Sequence, residues 1–324
     1  MLTARSRMLL SIAFLVLLPG PGRSTTPTPA TEPLRWNVPA ARAECPVGDT
    51  AVWSRYRGGR DCIRYFAGGN LDHAPLAMVF LRGDRRGWIR RDPATIPRNS
   101  ARAQQAYAAH LSERFGLPVI LVARPGTFGS SGNHFHRRQA AEFLALDGAL
   151  DEIRARYQIG RFILAGQSGG ATAAAALLTL GRTDISCAVL TSGAYDLLER
   201  AEFLRKQNGY PSRPGRDTTG LPHPYDPLEH VKGIASDEAR LITIIGSPED
   251  RLTPFRYQRE FADAVRAQGH RVRLLEHAAP PPFHHSLDEV GMEAGAECAR
   301  GDMRREAPDA RSSGTGAAES SETP

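Results

Sequence analysis

The sequence predicts an α/β fold with a mostly parallel sheet and helices on both faces. Three observations carry that expectation. Short, continuously apolar runs alternate with segments of helical period along most of the 324 residues. The residues able to do chemistry fall just after such runs, where ligand sites of open α/β sheets gather. The stretch Arg161 to Leu180, RFILAGQSGGATAAAALLTL, joins an apolar run to an Ala/Leu-rich segment through Gly166-Gln167-Ser168-Gly169-Gly170. That is the pattern of a strand, a sharp turn and a helix.

The chain opens with Arg5 and Arg7, an apolar run from Met8 to Leu18, then Pro, Gly and the small residues Gly22 and Ser24. The run is shorter than the ~20 residues that span a bilayer. Its order of charge, apolar run and small residues is that of a secretory signal over 1–24, cleaved near Ser24, and it predicts a secreted or periplasmic protein. The formal net charge is +6, and three of those charges, Arg5, Arg7 and Arg23, precede residue 25 with no acid among them, so cleavage leaves +3. Arginine is spread along the whole chain and lysine is nearly absent, a compositional habit rather than a phosphate-binding patch, and no nucleic-acid partner is implied. Residues 25–44 are rich in Thr and Pro and predict an extended linker or an arm on the surface.

Four cysteines in an exported chain suggest disulfides. Cys45 and Cys62 flank a short segment, and their proximity in sequence favours a bridge between them. Cys187 and Cys298 are either a second bridge or buried thiols. No C-x-x-C pair points to a metal site.

A single domain is expected over 45–306. Ala51 to Tyr56 and Cys62 to Phe66 bracket Arg57-Gly58-Gly59-Arg60, a hairpin signal, and both alternate apolar with polar residues as half-exposed edge strands do. Leu76 to Leu81 is apolar throughout, as in a buried central strand, and ends at Arg82-Gly83-Asp84. A helix follows with Ala103, Tyr107, Leu111 and Phe115 at intervals of four, stopping at Gly116. Leu117 to Ala123 is the next strand, then the loop Arg124 to Gly132, then a helix with Phe143, Leu146, Leu150, Ile153 and Tyr157 on one face. Strands are expected at Ile185 to Leu190, Leu241 to Ile245 and Val272 to Leu275, with a helix from Pro254 to Gln268 and a closing helix to about Arg300. Between them, about 193–238 dissolves into Pro, Gly and charge, which suits a small lid insertion. Residues 307–324 have no apolar face and predict a disordered tail.

A serine on such a turn is lifted off the sheet and sits over a helix N-terminus, where the dipole favours a developing negative charge. Serine needs a base to take its proton, and the base needs an acid to orient it. Asp250, in Ser247 to Pro254 after a strand, is the candidate acid, with Glu249 and Asp196 as rivals. After the last strand come His277 and then His284-His285-Ser286. His285 is the candidate base and His284 the alternative base. His134 and His136 are spaced as metal ligands can be, but with no Cys or carboxylate nearby a solvated loop is the better reading.

The motifs GQSGG, ARPGTFGSSG, SPEDRLTP and HHSLDE together resemble those of the α/β-hydrolase fold superfamily, over about Ala51 to Arg300. Among its branches the chain is most similar to secreted or periplasmic esterases and prolyl-oligopeptidase-like serine hydrolases. The resemblance implies an oxyanion hole made by the backbone N–H groups of Gly169 and Asp84. Here Arg82-Gly83 stands where the family usually has His-Gly. It also implies a small-molecule ester or amide substrate cleaved through an acyl-enzyme by Ser168, Asp250 and His285, with no metal or organic cofactor. A binding protein that kept the fold without catalysis, and an acyltransferase, are the alternatives.

Overall fold

The structure, a computed structural model, describes residues 30–48 and 50–306. The expected signal, residues 25–29 of the linker and the expected tail lie outside the described residues. The strands are β1 (Ala51–Tyr56), β2 (Gly59–Gly68), β3 (Leu76–Leu81), β4 (Val119–Val122), β5 (Arg161–Gln167), β6 (Ile185–Thr191), β7 (Leu241–Gly246) and β8 (Arg271–Glu276). The helices are α1 (Ala101–Phe115), α2 (Ala140–Tyr157), α3 (Gly169–Thr179), α4 (Leu197–Gln207), α5 (Phe255–Ala267) and α6 (Asp288–Glu306). One eight-stranded sheet has the order β1-β2-β4-β3-β5-β6-β7-β8. Its first two pairings, β1 with β2 and β2 with β4, are antiparallel, and the others are parallel.

Alternation along the strands sorts the core into two layers. Val79, Leu81, Leu164 and Leu190 face α2, α3 and α5, whereas Met78, Phe80, Ile163 and Cys187 face α1 and α6. Both faces of the central strands are therefore covered, which is why their sequences are apolar without interruption. Each such side chain contributes about 1.5–3 kcal/mol on burial. Helix α3 is buried along its whole length, which explains its Ala and Gly content: bulkier residues would hold it off the sheet.

The structure corrects four expectations. β2 is not a half-exposed edge strand but an interior one between β1 and β4, and most of it is buried. The face that α1 buries is Gln104, Ala108, Leu111 and Ser112 rather than Ala103, Tyr107, Leu111 and Phe115. Gly68 sets that rotation, since a Cβ there would overlap the Ala108 carbonyl. The chain is docked well before Cys45: Leu34 and Trp36 are buried, and Trp36 Nε1 donates to Asn99 Oδ1 at 3.0 Å. His134, finally, is not in a solvated loop but buried, with Nδ1 3.3 Å from the Pro125 carbonyl.

Both disulfides are formed, Cys45 to Cys62 and Cys187 to Cys298. The second ties β6 to α6. Segment 193–238 contains α4 and a 3-10 stretch, Pro227–Gly233. Val231 and Ile234 anchor it in the core beside α3. Among the described residues no helix is long and apolar enough to cross a membrane.

Candidate active site

Ser168 sits between β5 and α3 with φ 56° and ψ −123°, a sparsely populated conformation that costs on the order of 1–3 kcal/mol and persists only where its surroundings enforce it. Here they do. Ser168 N donates to the Thr191 carbonyl at 2.8 Å, and Thr172 N donates back to the Ser168 carbonyl at 3.0 Å. Strand and helix must also approach closely. A Cβ on Gly166 would overlap the Gly170 carbonyl, and one on Gly170 would overlap the Leu81 carbonyl.

Asp250 follows β7 and is fully buried at its side chain. Its Oδ1 accepts from the N–H groups of Leu252 and Thr253, both at 2.8 Å. Its Oδ2 accepts from Thr253 Oγ1 at 2.8 Å and lies 2.7 Å from His285 Nδ1. A carboxylate only accepts, so Nδ1 carries a proton, and the neutral tautomer compatible with this contact has its lone pair on Nε2, as a general base requires. His284 points elsewhere: its Nδ1 lies 3.0 Å from the Ala279 carbonyl and 3.2 Å from exposed Glu249. Asp196 stands just before α4. Asp250 and His285 are thus brought together in a largely buried pair, whereas the rivals His284 and Glu249 meet at 3.2 Å with Glu249 exposed.

The tie to the serine runs through Gln167, a residue to which sequence reasoning assigned no role. Gln167 Nε2 donates to the His285 carbonyl at 2.8 Å. Its Oε1 accepts from Thr191 Oγ1 at 2.8 Å and Leu287 N at 3.2 Å. The available signal was a polar residue ending an apolar strand. Across the serine, the loop after β3 lies close: a Cβ on Gly83 would stand 3.0 Å from Ser168 Cβ and 3.7 Å from its Oγ.

The Asp84 side chain lies over Gly169, where a Cβ would overlap its Oδ1. Arg124, Arg137 and Arg138 surround the carboxylate, with Arg124 at 2.9 Å, Arg137 at 2.9 Å and Arg138 in direct contact. Burial alone would raise this carboxyl, but the three guanidinium groups outweigh it and hold it well below the usual range. Arg124 also binds Glu142 at 2.7 Å, and Arg138 reaches Asp217 at 3.4 Å in the 193–238 insertion. Arg82 donates to Gln104 and stacks on Tyr107 and Phe128 at 5.4 and 5.0 Å, which accounts for an arginine at this position of the loop. His134 borders the cluster. Burial and then the Arg124 charge push it down to about 3, so it is neutral. Sequence reasoning missed this cluster because its members come from three loops. Among the described residues no group of three or more His, Cys, Asp or Glu side chains is arranged to hold a metal.

The sheet order, the turn at Ser168 and the placement of Asp250 and His285 after later strands define the α/β-hydrolase fold. Two solved structures agree. The esterase Pf2001 of Pyrococcus furiosus superposes with a TM-score of 0.52 at 14% identity, covering 84% of this chain and 98% of that one. Est1E from Butyrivibrio proteoclasticus gives 0.51 at 12% identity, covering 79% and 100%. A Pyrococcus horikoshii acylaminoacyl peptidase gives 0.48 at 13% identity over 79% of this chain, which spans about 40% of that enzyme's length. No model of a known protein family matches the sequence, and no curated protein matches it.

Proposed function

We propose that this protein is a secreted or periplasmic serine hydrolase that cleaves an ester or amide bond through an acyl-enzyme. The observation that carries the reading is the 2.7 Å contact of His285 with Asp250, in a loop whose backbone is bonded to the residue before Ser168. In this mechanism Ser168 Oγ attacks the carbonyl carbon while His285 Nε2 takes its proton, and Asp250 stabilises the imidazolium that forms. The tetrahedral oxyanion is received by the N–H groups of Gly169 and Asp84. The first N–H groups of a helix have no intrahelical acceptor, which leaves Gly169 free for that task. His285 then gives the proton to the leaving group, and water repeats the sequence to release the acid.

The Asp84 carboxylate does not oppose an oxyanion beside it, because its arginines neutralise it. Two disulfides suit an oxidising compartment. The 193–238 insertion, joined to the site by Asp217 and by Arg200 bonding the Leu252 carbonyl, is the segment to which we assign substrate selection.

A fluorophosphonate probe followed by peptide mapping tests the reading. Labelling is expected at Ser168 and absent in Ser168→Ala. A folded protein that resists the probe would favour a binding role instead.

A further inference from the structure

The arginines beside the nucleophile are partnered unequally. In the inner set, Arg124, Arg137 and Arg138 balance Asp84, Glu142 and Asp217. The outer set does not balance. Arg82 and Arg85 are half-buried, and the carboxylate whose charge acts on both is Asp288, at the start of α6, which forms no ion pair with either.

Arg82 is nevertheless anchored by Gln104 and two rings. Arg85 is not. Among the described residues its guanidinium has neither a hydrogen bond nor an ion pair, its Nε is buried without a partner, and it stacks on Trp88 at 4.9 Å. Stacking fixes the plane of a guanidinium while leaving its edge N–H groups free, the arrangement suited to a planar bidentate acceptor. Its location is equally specific. Arg85 lies two residues beyond Gly83, which backs onto Ser168, and shares with Gly83, Arg124 and His134 the lining of a small cavity of about 10 Å³. Asp288, three residues beyond His285, acts on its charge without pairing with it. Arg85 thus lies on the loop that backs onto Ser168 with its donors unused.

We propose that Arg85 receives a carboxylate on the substrate, so that the enzyme favours esters or amides bearing a negative charge near the scissile bond over neutral ones. The proposal rests on the serine hydrolase reading above. A charge-assisted bidentate contact of this kind is worth roughly tenfold or more in affinity.

Two matched ester pairs test it: mono-p-nitrophenyl adipate against p-nitrophenyl hexanoate, with the charge on the acyl part, and 4-acetoxybenzoate against phenyl acetate, with the charge on the leaving group. For one pair at least, wild-type kcat/KM should favour the anion at low salt and lose that preference at high salt. Arg85→Gln should lower the anion-to-neutral ratio about tenfold, mainly through KM, and Arg85→Lys should retain part of it. No anion preference in either pair, or a ratio unchanged in Arg85→Gln, overturns the proposal and leaves the hydrolase reading standing. If Arg85→Gln does not fold, the wild-type ratios and their salt dependence decide alone. Turnover of none of the four esters overturns the proposal too, and Ser168 labelling then tells whether the hydrolase reading falls with it.

Discussion

Gln167 and His285 are joined by a hydrogen bond of 2.8 Å, from the side-chain amide of the residue before Ser168 to the backbone carbonyl of the histidine. β8 is an edge strand with mostly exposed side chains, and the loop after it is tied to the loop after β7 by Asp250 with His285 and by Arg251 N donating to the Phe283 carbonyl at 3.1 Å. Gln167 adds the tie from that loop to the end of β5.

Gln167→Ala is expected to lower kcat by roughly ten- to a hundredfold with a smaller change in KM, since removing one partner of a buried hydrogen bond costs about 1–3 kcal/mol and here misplaces the base. Steady-state kinetics with circular dichroism as a folding control measures it. An unchanged kcat would show that the loop is held by other contacts.

His285→Ala should lower kcat about 10⁴- to 10⁶-fold with the fold intact. His284→Ala should cost far less, because His284 engages Glu249 and the Ala279 carbonyl rather than Asp250. Assaying both variants on one ester decides between them, and a dead His284→Ala beside an active His285→Ala would reverse the assignment.

The two disulfides should contribute unequally. Cys187 and Cys298 are 111 residues apart and Cys45 and Cys62 are 17 apart, so loop-closure entropy assigns them roughly 5 and 3 kcal/mol respectively. Guanidinium unfolding of the paired Cys→Ser variants should show the larger loss for Cys187/Cys298. Because that bridge anchors α6, which follows the histidine loop, its loss should also lower kcat. Non-reducing peptide mapping of the native protein checks that both bridges form.

Acid should weaken the fold through His134 and Asp84. His134 falls from an ordinary 6.5 to about 3 on folding, so between those values the unfolded chain binds the extra proton and stability drops as pH falls, with a slope approaching about 1.4 kcal/mol per pH unit. Asp84, held well below its ordinary value of 3.8, contributes stability above that value and loses it as pH falls further. Chemical denaturation across the acid range should show this decline, and His134→Gln should flatten its upper part. An identical slope in the variant would contradict the assignment.

Much of the site was legible because its parts are local. Gly166, Ser168 and Gly170 announce their turn through spacing together with the apolar run before it and the Ala/Leu-rich segment after it, since glycines there tolerate the approach of strand and helix. Asp250 and His285 stand out as candidates by their order and their position after strands. The choice of His285 over His284 follows from the fold, where Asp250 lies within reach of only one of them. The arginine cluster gave no such sign. In a chain with arginine at almost every turn, Arg124, Arg137 and Arg138 differ from the others only in sharing Asp84.

The sequence by itself determined the alternation of strands and helices, the class of sheet and the turn at Ser168, because hydrophobic period and glycine placement act over a few residues. Only the tertiary structure decided that β2 lies inside the sheet, that Trp36 anchors the arm, that Cys187 meets Cys298, and that Gln167 holds the histidine loop. Each of these depends on which distant segments become neighbours. Burial and hydrogen-bond satisfaction settle that across the whole chain at once, and no local window of residues contains the answer.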